Sequence, residues 1–258
     1  MTSVPQFDLT GRVALVTGAS SGFGAHFSRL LAAAGAAVVM GARRADRLAA
    51  LEAEIKAAGG KAVAVSLDVA DEAATIAAYD AAEAAFGTVD TIVANAGIAD
   101  DQIALKVEMD SFDQVVATNL RGPFLTVREG AKRLIAAGSA EKEHGRVVII
   151  GSITSKKAFP GSTPYSATKA GVTQMGKLMA REWARKGINV NVIEPGYFPT
   201  EITGDLIESE MGGLLLNTFI RRRWCEIPAM DVPLLYLCSD HSRYVTGSTI
   251  TVDDGQLL

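Results

Sequence analysis

VALVTGASSGFG, residues 13–24, joins a strand pattern to a glycine-rich turn and the start of a helix. The first five residues are apolar or β-branched, as in a short strand buried on both faces. Gly18, Gly22 and Gly24 then crowd the strand-to-helix turn, with Ser20, Ser21 and Phe23 between them. Glycine there permits unusual dihedrals and close backbone approach. A helix starting at such a turn offers free N–H groups and a positive dipole end to a pyrophosphate. A tight turn also needs glycine for steric reasons alone, so the loop gains weight only from its place between a first strand and a first helix.

The rest of the chain repeats that alternation. AAVVM (36–40), AVAV (62–65), TIVAN (91–95), RVVIIG (146–151), INVNVIE (188–194) and STITV (248–252) read as further short strands. Between them lie helical patterns such as ADRLAALEAEIKAAGG (45–60), with Leu and Ile at helical spacing and Gly59 and Gly60 as a C-terminal stop. The pattern predicts an α/β fold: one doubly wound domain over 1–258, with a mainly parallel seven-stranded sheet flanked by helices on both faces. No internal repeat or low-complexity linker divides it. One interval, 197–224, shows no strand yet carries Ile202, Leu206, Met211, Phe219 and Ile220. It reads as a hydrophobic lid over the strand C-terminal ends, or as a segment packed into the core or a subunit interface.

Bulk properties narrow the partners. A chain of 258 residues, 48% hydrophobic and 21% charged, can bury a sizeable core. A net charge of −4 offers no broad cationic surface for nucleic acid or an anionic membrane, so a small molecule is the expected partner. Cys225 and Cys238 have neither metal-ligand nor disulfide spacing, as expected of a reduced, cytoplasmic protein. The N-terminal MTSVPQFDLTGR lacks an apolar core of signal-peptide length, and no apolar run approaches the roughly 18 residues of a membrane span. His26, His144 and His241 form no ligand pattern, so no metal is expected.

At the end of the second strand, about 20 residues after the glycines, a dinucleotide site that prefers a ribose 2′-hydroxyl would carry an acid. Here the sequence is VVMGARRAD (38–46). Ala42 and Arg43 replace the acid, and Arg43 and Arg44 offer guanidiniums to a 2′-phosphate, favouring NADP(H) with NAD(H) still possible. Alternatively, the arginines are only an exposed helix start. Further on, GSTPYSATKAG (161–171) places Tyr165 and Lys169 on one helix face, where a lysine ammonium favours the phenolate and lowers the tyrosine pKa. Tyr165 is then a general acid for ketone reduction or a base for alcohol oxidation. Ser152, ending an apolar strand, can hydrogen-bond the same oxygen. Within VVATNLRGPFLTV (115–127), Pro123 lacks an N–H and predicts a helix kink that frees the Asn119 carbonyl to hold a water.

Together, TGASSGFG, LDV (67–69), NAG (95–97), Asn119, Ser152, the Tyr165/Lys169 pair and PGYFPT (195–200) resemble the short-chain dehydrogenase/reductase (SDR) family in its compact, single-domain form. The resemblance covers nearly the whole chain and implies a Rossmann-like domain. It assigns catalysis to Asn119, Ser152, Tyr165 and Lys169, with Asn119 at one end of a water-linked proton relay. It also implies cofactor contacts from Asp68 and Val69, from Asn95, Ala96 and Gly97, and from Pro195, Gly196, Phe198 and Thr200. Family members assemble as homodimers or homotetramers through the helices containing Asn119 and Tyr165, and the same is expected here. Two departures stand out: RRWCEIPAMDVP (222–233) has Cys225 for a glycine, and DDG (253–255) replaces Asp-Gly-Gly. Pro233 predicts a helix starting near Asp231, with Asp231 as N-cap.

The expected activity is an NADP(H)-dependent oxidoreductase interconverting a ketone and a secondary alcohol, with an apolar and bulky substrate under the lid. One alternative is a 3-oxoacyl-[acyl-carrier-protein] reductase, although Glu141 and Glu143 in SAEKEHGR (139–146) suit an acidic carrier poorly. Another is a non-catalytic NADP(H)-sensing protein, which would have no need of a proton donor.

Overall fold

The computed structural model describes residues 6–258 and forms a seven-stranded sheet in which every pairing is parallel. The strands are β1 (Val13–Thr17), β2 (Ala37–Ala42), β3 (Lys61–Ser66), β4 (Thr91–Ala94), β5 (Gly145–Ile150), β6 (Ile188–Pro195) and β7 (Thr249–Val252). Their spatial order, β3-β2-β1-β4-β5-β6-β7, reverses direction between β1 and β4. Crossovers on either side of that point leave on opposite faces, so a crevice opens beyond the strand C-terminal ends, where doubly wound sheets bind ligands. Strand bounds shift by only one or two residues from the sequence pattern. The first five residues of the expected domain lie outside the described ones.

The helices are α1 (Gly22–Ala33), α2 (Ala45–Ala57), α3 (Glu72–Phe86), α4 (Met109–Val116), α5 (Gly122–Ala136), α6 (Ser139–Lys142), α7 (Thr163–Trp183), α8 (Gly204–Glu208), α9 (Glu210–Thr218) and α10 (Asp231–Cys238). The two faces of the sheet bury separate cores. Ala14 and Val16, Val38 and Met40, and Val148 and Ile150 point toward Phe27, Leu31, Leu48 and Leu234 on α1, α2 and α10. Val13 and Leu15, Val39, and Val147 and Ile149 point toward Tyr79, Val127, Leu134 and Val172 on α3, α5 and α7. Successive strand side chains alternate faces, so burial on both sides requires the near-continuous apolar runs seen in the sequence. Each fully buried Leu, Ile or Phe contributes about 1.5–3 kcal/mol of transfer free energy. None of the described helices is long and apolar enough to cross a membrane.

Three local expectations are refined. The Pro123 kink takes the form of a π turn at Ala117–Arg121, in which the Gly122 N–H reaches back five residues to the Ala117 carbonyl. A π turn carries one more residue than an α turn, which resets the helix register beside Asn119. α10 does begin at Asp231, but as its first helical residue behind a 3₁₀ turn (Ile227–Met230), not as N-cap. The Asp231 carboxylate is taken by His26 on α1, at 2.5 Å. The 197–224 interval holds α8 and α9: Phe219 is buried against Tyr197 and Trp224 at 5.8 and 5.6 Å, while Met211, Leu214 and Ile220 face solvent.

Candidate active site

Close backbone packing builds the floor of the crevice. Gly18 has φ of +68°, and a Cβ there would lie 2.8 Å from the Ala96 Cα; a Cβ on Gly24 would lie 2.2 Å from the Gly18 carbonyl oxygen. No side chain fits either place, so the backbone can reach a ligand directly. Thr17 clips the ends of β1 and β4 together. Its Oγ1 accepts hydrogen bonds from the Asn95 and Ala96 N–H groups, both at 3.1 Å, and its carbonyl accepts from Asn95 Nδ2 at 2.9 Å. Thr17 was not singled out from sequence, because a threonine closing a strand has no signature of its own.

One end of the cleft is basic. Arg43 projects into solvent at its edge, while Arg44 is held by Ser20 at 2.9 Å and Ser21 at 2.6 Å. Both serines therefore work through Arg44 as well as lining the loop. Glu201 reaches the same guanidinium at 2.9 Å and also pairs with Arg47. The Ser21 hydroxyl, and then Arg47 and Arg44, pull the Glu201 carboxyl down to about 2. Asp68 and Val69 form the adjacent wall.

The other end gathers the catalytic candidates. Ser152, at the mouth of β5, is buried, and its Oγ accepts from the Thr154 N–H at 3.2 Å. The N-terminus of α7 presents Tyr165, and one turn later Lys169 is buried with its Nζ donating to the Ile150 carbonyl at 2.8 Å. Asn119 is wholly buried behind the wall; its side chain donates to the Ile98 carbonyl at 2.8 Å and accepts from the Ile98 N–H at 2.9 Å. Gly97 joins the group, since a Cβ there would lie 3.5 Å from Asn119 Oδ1 and 3.6 Å from Lys169 Nζ.

The electrostatics correct one expectation. Tyr165 keeps part of its surface at the cleft, yet burial pushes its pKa up to about 12, with Ser152 working against the rise and Asp101 adding to it. Lys169 does not offset this: burial drives its own pKa down to about 8. Desolvation of the phenolate outweighs the helix-spacing argument. Asp101 lines the cleft, and burial, then the neighbouring Asp100, raises its pKa.

The loop after β6 closes the cleft from above. Gly196 sits where a Cβ would be 2.4 Å from Gln256 Oε1, which accepts from the Tyr197 N–H at 2.7 Å. Phe198 is buried edge-on against Phe23 at 5.0 Å, and Thr200 sits 3.6 Å from the place a Gly22 Cβ would occupy. Beneath the loop, Glu194 is fully buried; its Oε1 accepts from Ser155 and Thr173 at 2.7 and 2.8 Å, and Lys156 Nζ lies 2.6 Å from its Oε2. It thereby ties β6 to α7 and to the segment after Ser152. The cleft measures about 540 Å³ and is lined by all the expected contact residues, Pro195 among them, except Gly24 and Asn119, which stand just behind its wall. Among the described residues, no three His, Cys, Asp or Glu side chains cluster as metal ligands.

A model of the family described as short chain dehydrogenase matches residues 12–211. The chain belongs to the short-chain dehydrogenase/reductase family. Within it, the gluconate 5-dehydrogenase of Gluconobacter oxydans (strain 621H) is 34% identical over 250 residues, covering 96% of each chain. A 3-oxoacyl-[acyl-carrier-protein] reductase of Escherichia coli (strain K12) is 32% identical over 248 residues, covering 96% of this chain and 98% of the relative. A solved gluconate 5-dehydrogenase from Burkholderia cenocepacia J2315, in complex with NADP and tartrate, superposes with a TM-score of 0.91 at 35% identity, covering 97% of each chain. The Rossmann-like architecture and the oxidoreductase family are thus common to this chain and its relatives.

Proposed function

We propose that this short-chain dehydrogenase/reductase is an NADP(H)-dependent enzyme that interconverts a ketone and a secondary alcohol. The observation that carries the reading is the convergence of Asn119, Lys169 and Gly97 within a few ångströms, beside Ser152 and Tyr165, at the end of the cleft away from the arginines. The cleft fits a dinucleotide: Gly18 and Gly24 leave bare backbone for the pyrophosphate, and Arg43, exposed and without an ion-pair partner among the described residues, suits a 2′-phosphate. Asp68, Val69 and residues 95–97 would border the adenosine and ribose, and Pro195, Phe198 and Thr200 the nicotinamide. When bound, the nicotinamide supplies or accepts the hydride. Tyr165 gives its hydroxyl proton to the carbonyl oxygen in reduction and takes it back from the alcohol in oxidation. A phenol pKa of about 12 keeps that proton in place at neutral pH, the form reduction needs. Ser152 hydrogen-bonds the same oxygen as charge builds on it. Lys169 orients the ribose, and Asn119 holds the backbone at Ile98 and leads a water-linked relay toward Lys169.

The substrate class follows from the surroundings. Ile98 and Ile202 line the cleft, and the 197–224 segment acts as a lid whose own Tyr197 and Phe219 pack together, with Tyr197 also edge-on to Phe159. Asp101 adds an acidic group beside Tyr165, which favours uncharged, apolar ketones over carboxylates. Reduction of a 3-oxoacyl chain on a carrier protein is the second reading, supported by the 32% identity to such a reductase. Glu141 and Glu143 do not weigh against it, since they flank the start of β5, the end of the sheet opposite the cleft. The apolar side chains Met109, Phe124 and Leu178, exposed on α4, α5 and α7, support assembly into a homodimer or homotetramer through those helices. A cytoplasmic setting accords with the two free, buried cysteines.

The deciding experiment measures oxidation and reduction with both nicotinamides against ketones and alcohols of graded bulk, gluconate and a 3-oxoacyl thioester, for the parent and Tyr165→Phe. General acid catalysis is worth about 10²–10⁴-fold, so the variant should bind NADPH and lose at least a hundredfold in kcat. Turnover within a few-fold of the parent would remove Tyr165 from the chemistry, and equal turnover of gluconate and bulky ketones would remove the substrate assignment.

A further inference from the structure

Glu201 lies in none of the family segments recognised in the sequence, yet it spans the mouth of the cleft. It occupies the tight turn between Thr200 and Thr203, immediately before α8, where the Thr203 hydroxyl bonds back to the Phe198 carbonyl. Its two carboxylate oxygens reach separate guanidiniums on the far side: Oε2 meets Arg44 at 2.9 Å, and Oε1 meets Arg47 on α2. Arg44 has all its donor edges engaged, with Nε on Ser20, Nη2 on Ser21 and Nη1 on Glu201. The serine contacts fix the guanidinium to the glycine loop. The Glu201 contact is different, because both partners are about half exposed, with side-chain accessibilities of 41% and 49%, and an exposed ion pair exchanges readily.

We infer that Glu201 is a cofactor-selectivity residue and the latch of the lid: its carboxylate fills the place on Arg44 that a ribose 2′-phosphate would take, and gives way when that phosphate binds. This rests on the NADP(H) reading of Arg43 and Arg44. A phosphate dianion held by Arg43 meets Arg44 only at the edge Glu201 occupies, and two anions cannot share one N–H pair without repulsion. Displacing Glu201 cuts the tie between the leading end of the lid and α2. A 2′-phosphorylated cofactor therefore loosens the lid, and a cofactor with a free 2′-hydroxyl leaves the latch shut. Glu201 also holds the NADP(H) preference below what two unopposed arginines would give.

The test is calorimetric titration of the whole chain and of Glu201→Gln with adenosine 2′,5′-bisphosphate and adenosine 5′-monophosphate. Hydrogen exchange across residues 202–218 is followed alongside. The parent should bind the bisphosphate more tightly. Glu201→Gln should bind it about 1.5- to fivefold more tightly again, with the monophosphate unchanged, because one competing exposed charge contact is removed. Bisphosphate should speed exchange in the lid of the parent, and the variant should exchange fast with or without it. If the parent prefers the bisphosphate but the variant gains nothing, or loses, the latch is wrong and the cofactor reading stands. If the parent shows no preference and the variant acquires one, the latch stands and the parent's NADP(H) preference falls. No preference in either protein overturns both.

Discussion

Replacing Lys169 by methionine tests whether the site carries a buried, costly charge. The residue is 4% exposed, its ammonium is bonded to a single carbonyl, and burial lowers its pKa from 10.5 to about 8. Each pKa unit is about 1.4 kcal/mol, so holding Lys169 charged at pH 7 opposes folding by about 3 kcal/mol. The sign follows from proton counting. Between pH 8 and 10.5 the unfolded chain binds the proton and the folded chain does not, so stability rises with pH through that window. The penalty is present in full below about pH 8 and is relieved as pH climbs toward 10.5. From pH 7 to 9.5 the relief amounts to about 2 kcal/mol. Urea denaturation of the parent and of Lys169→Met, run at both pH values, isolates it, because every other titrating group cancels in the double difference. The parent should gain about 2 kcal/mol on the variant over that interval, while the variant stays inactive at both. A difference between the two proteins that stays constant within about 0.5 kcal/mol would mean that Lys169 keeps an ordinary pKa and that burial does not set the electrostatics of the site.

Other substitutions probe separate parts of the structure. Arg43→Ala should weaken NADPH binding by about tenfold or more, the worth of a charge-assisted phosphate contact, and barely affect NADH; equal losses in fluorescence titrations would count against the phosphate contact. Lys156→Met strands the buried Glu194 carboxylate with only two hydroxyl partners. Because Lys156 is itself about half exposed, losing the contact costs about 1 kcal/mol, which in a chain of this size lowers Tm by about 2–4 °C; an unchanged calorimetric Tm would show that Glu194 needs no cation. Phe124→Glu puts a charge on the exposed apolar face of α5 and should shift sedimentation toward monomer, whereas an unaltered assembly would place the interface elsewhere.

The strands and the glycine loop were legible because their determinants are local. A sheet covered on both faces demands continuous apolar runs, and the steric conflicts at Gly18 and Gly24 admit no other residue. Ser152 was legible because it ends an apolar strand, whereas residues 95–97 entered only through the family resemblance. Contacts made across the fold were not legible. Glu201 and Arg44 stand 157 positions apart, and nothing near either residue announces the pair. The pKa of Tyr165 moved opposite to the spacing argument for a related reason: spacing places the lysine, but only packing decides how much water the phenol and the ammonium lose. Asp231 shows the same limit, since an acid ahead of a helix reads as a cap until His26 arrives from another element to claim it.

The two departures from the family pattern tie the same two segments together. Asp254, where a glycine is usual, takes φ of 49°, the left-handed region that favours glycine, and its carboxylate reaches Arg223 at 2.6 Å and Arg221 at 3.4 Å. Cys225, in the other glycine position, donates its N–H to the Tyr197 carbonyl at 3.0 Å and accepts from Gln256 Nε2 on its sulfur at 3.4 Å. The trailing end of the 197–224 segment is therefore bound to the C-terminal turn twice, through side chains that glycines at 225 and 254 would lack. Its Phe219 and Trp224 rings add an apolar anchor on Tyr197. Tyr197 and Phe198 are likewise anchored, on Phe159 and Phe23, but the stretch that follows them has no comparable apolar anchor, because Ile202 is substantially exposed and the polar tie to α2 there is Glu201. Motion of the segment is thus expected in the stretch between Glu201 and Thr218, held at Phe198 on one side and at residues 219–225 on the other, and to begin at Glu201, nearest the arginines.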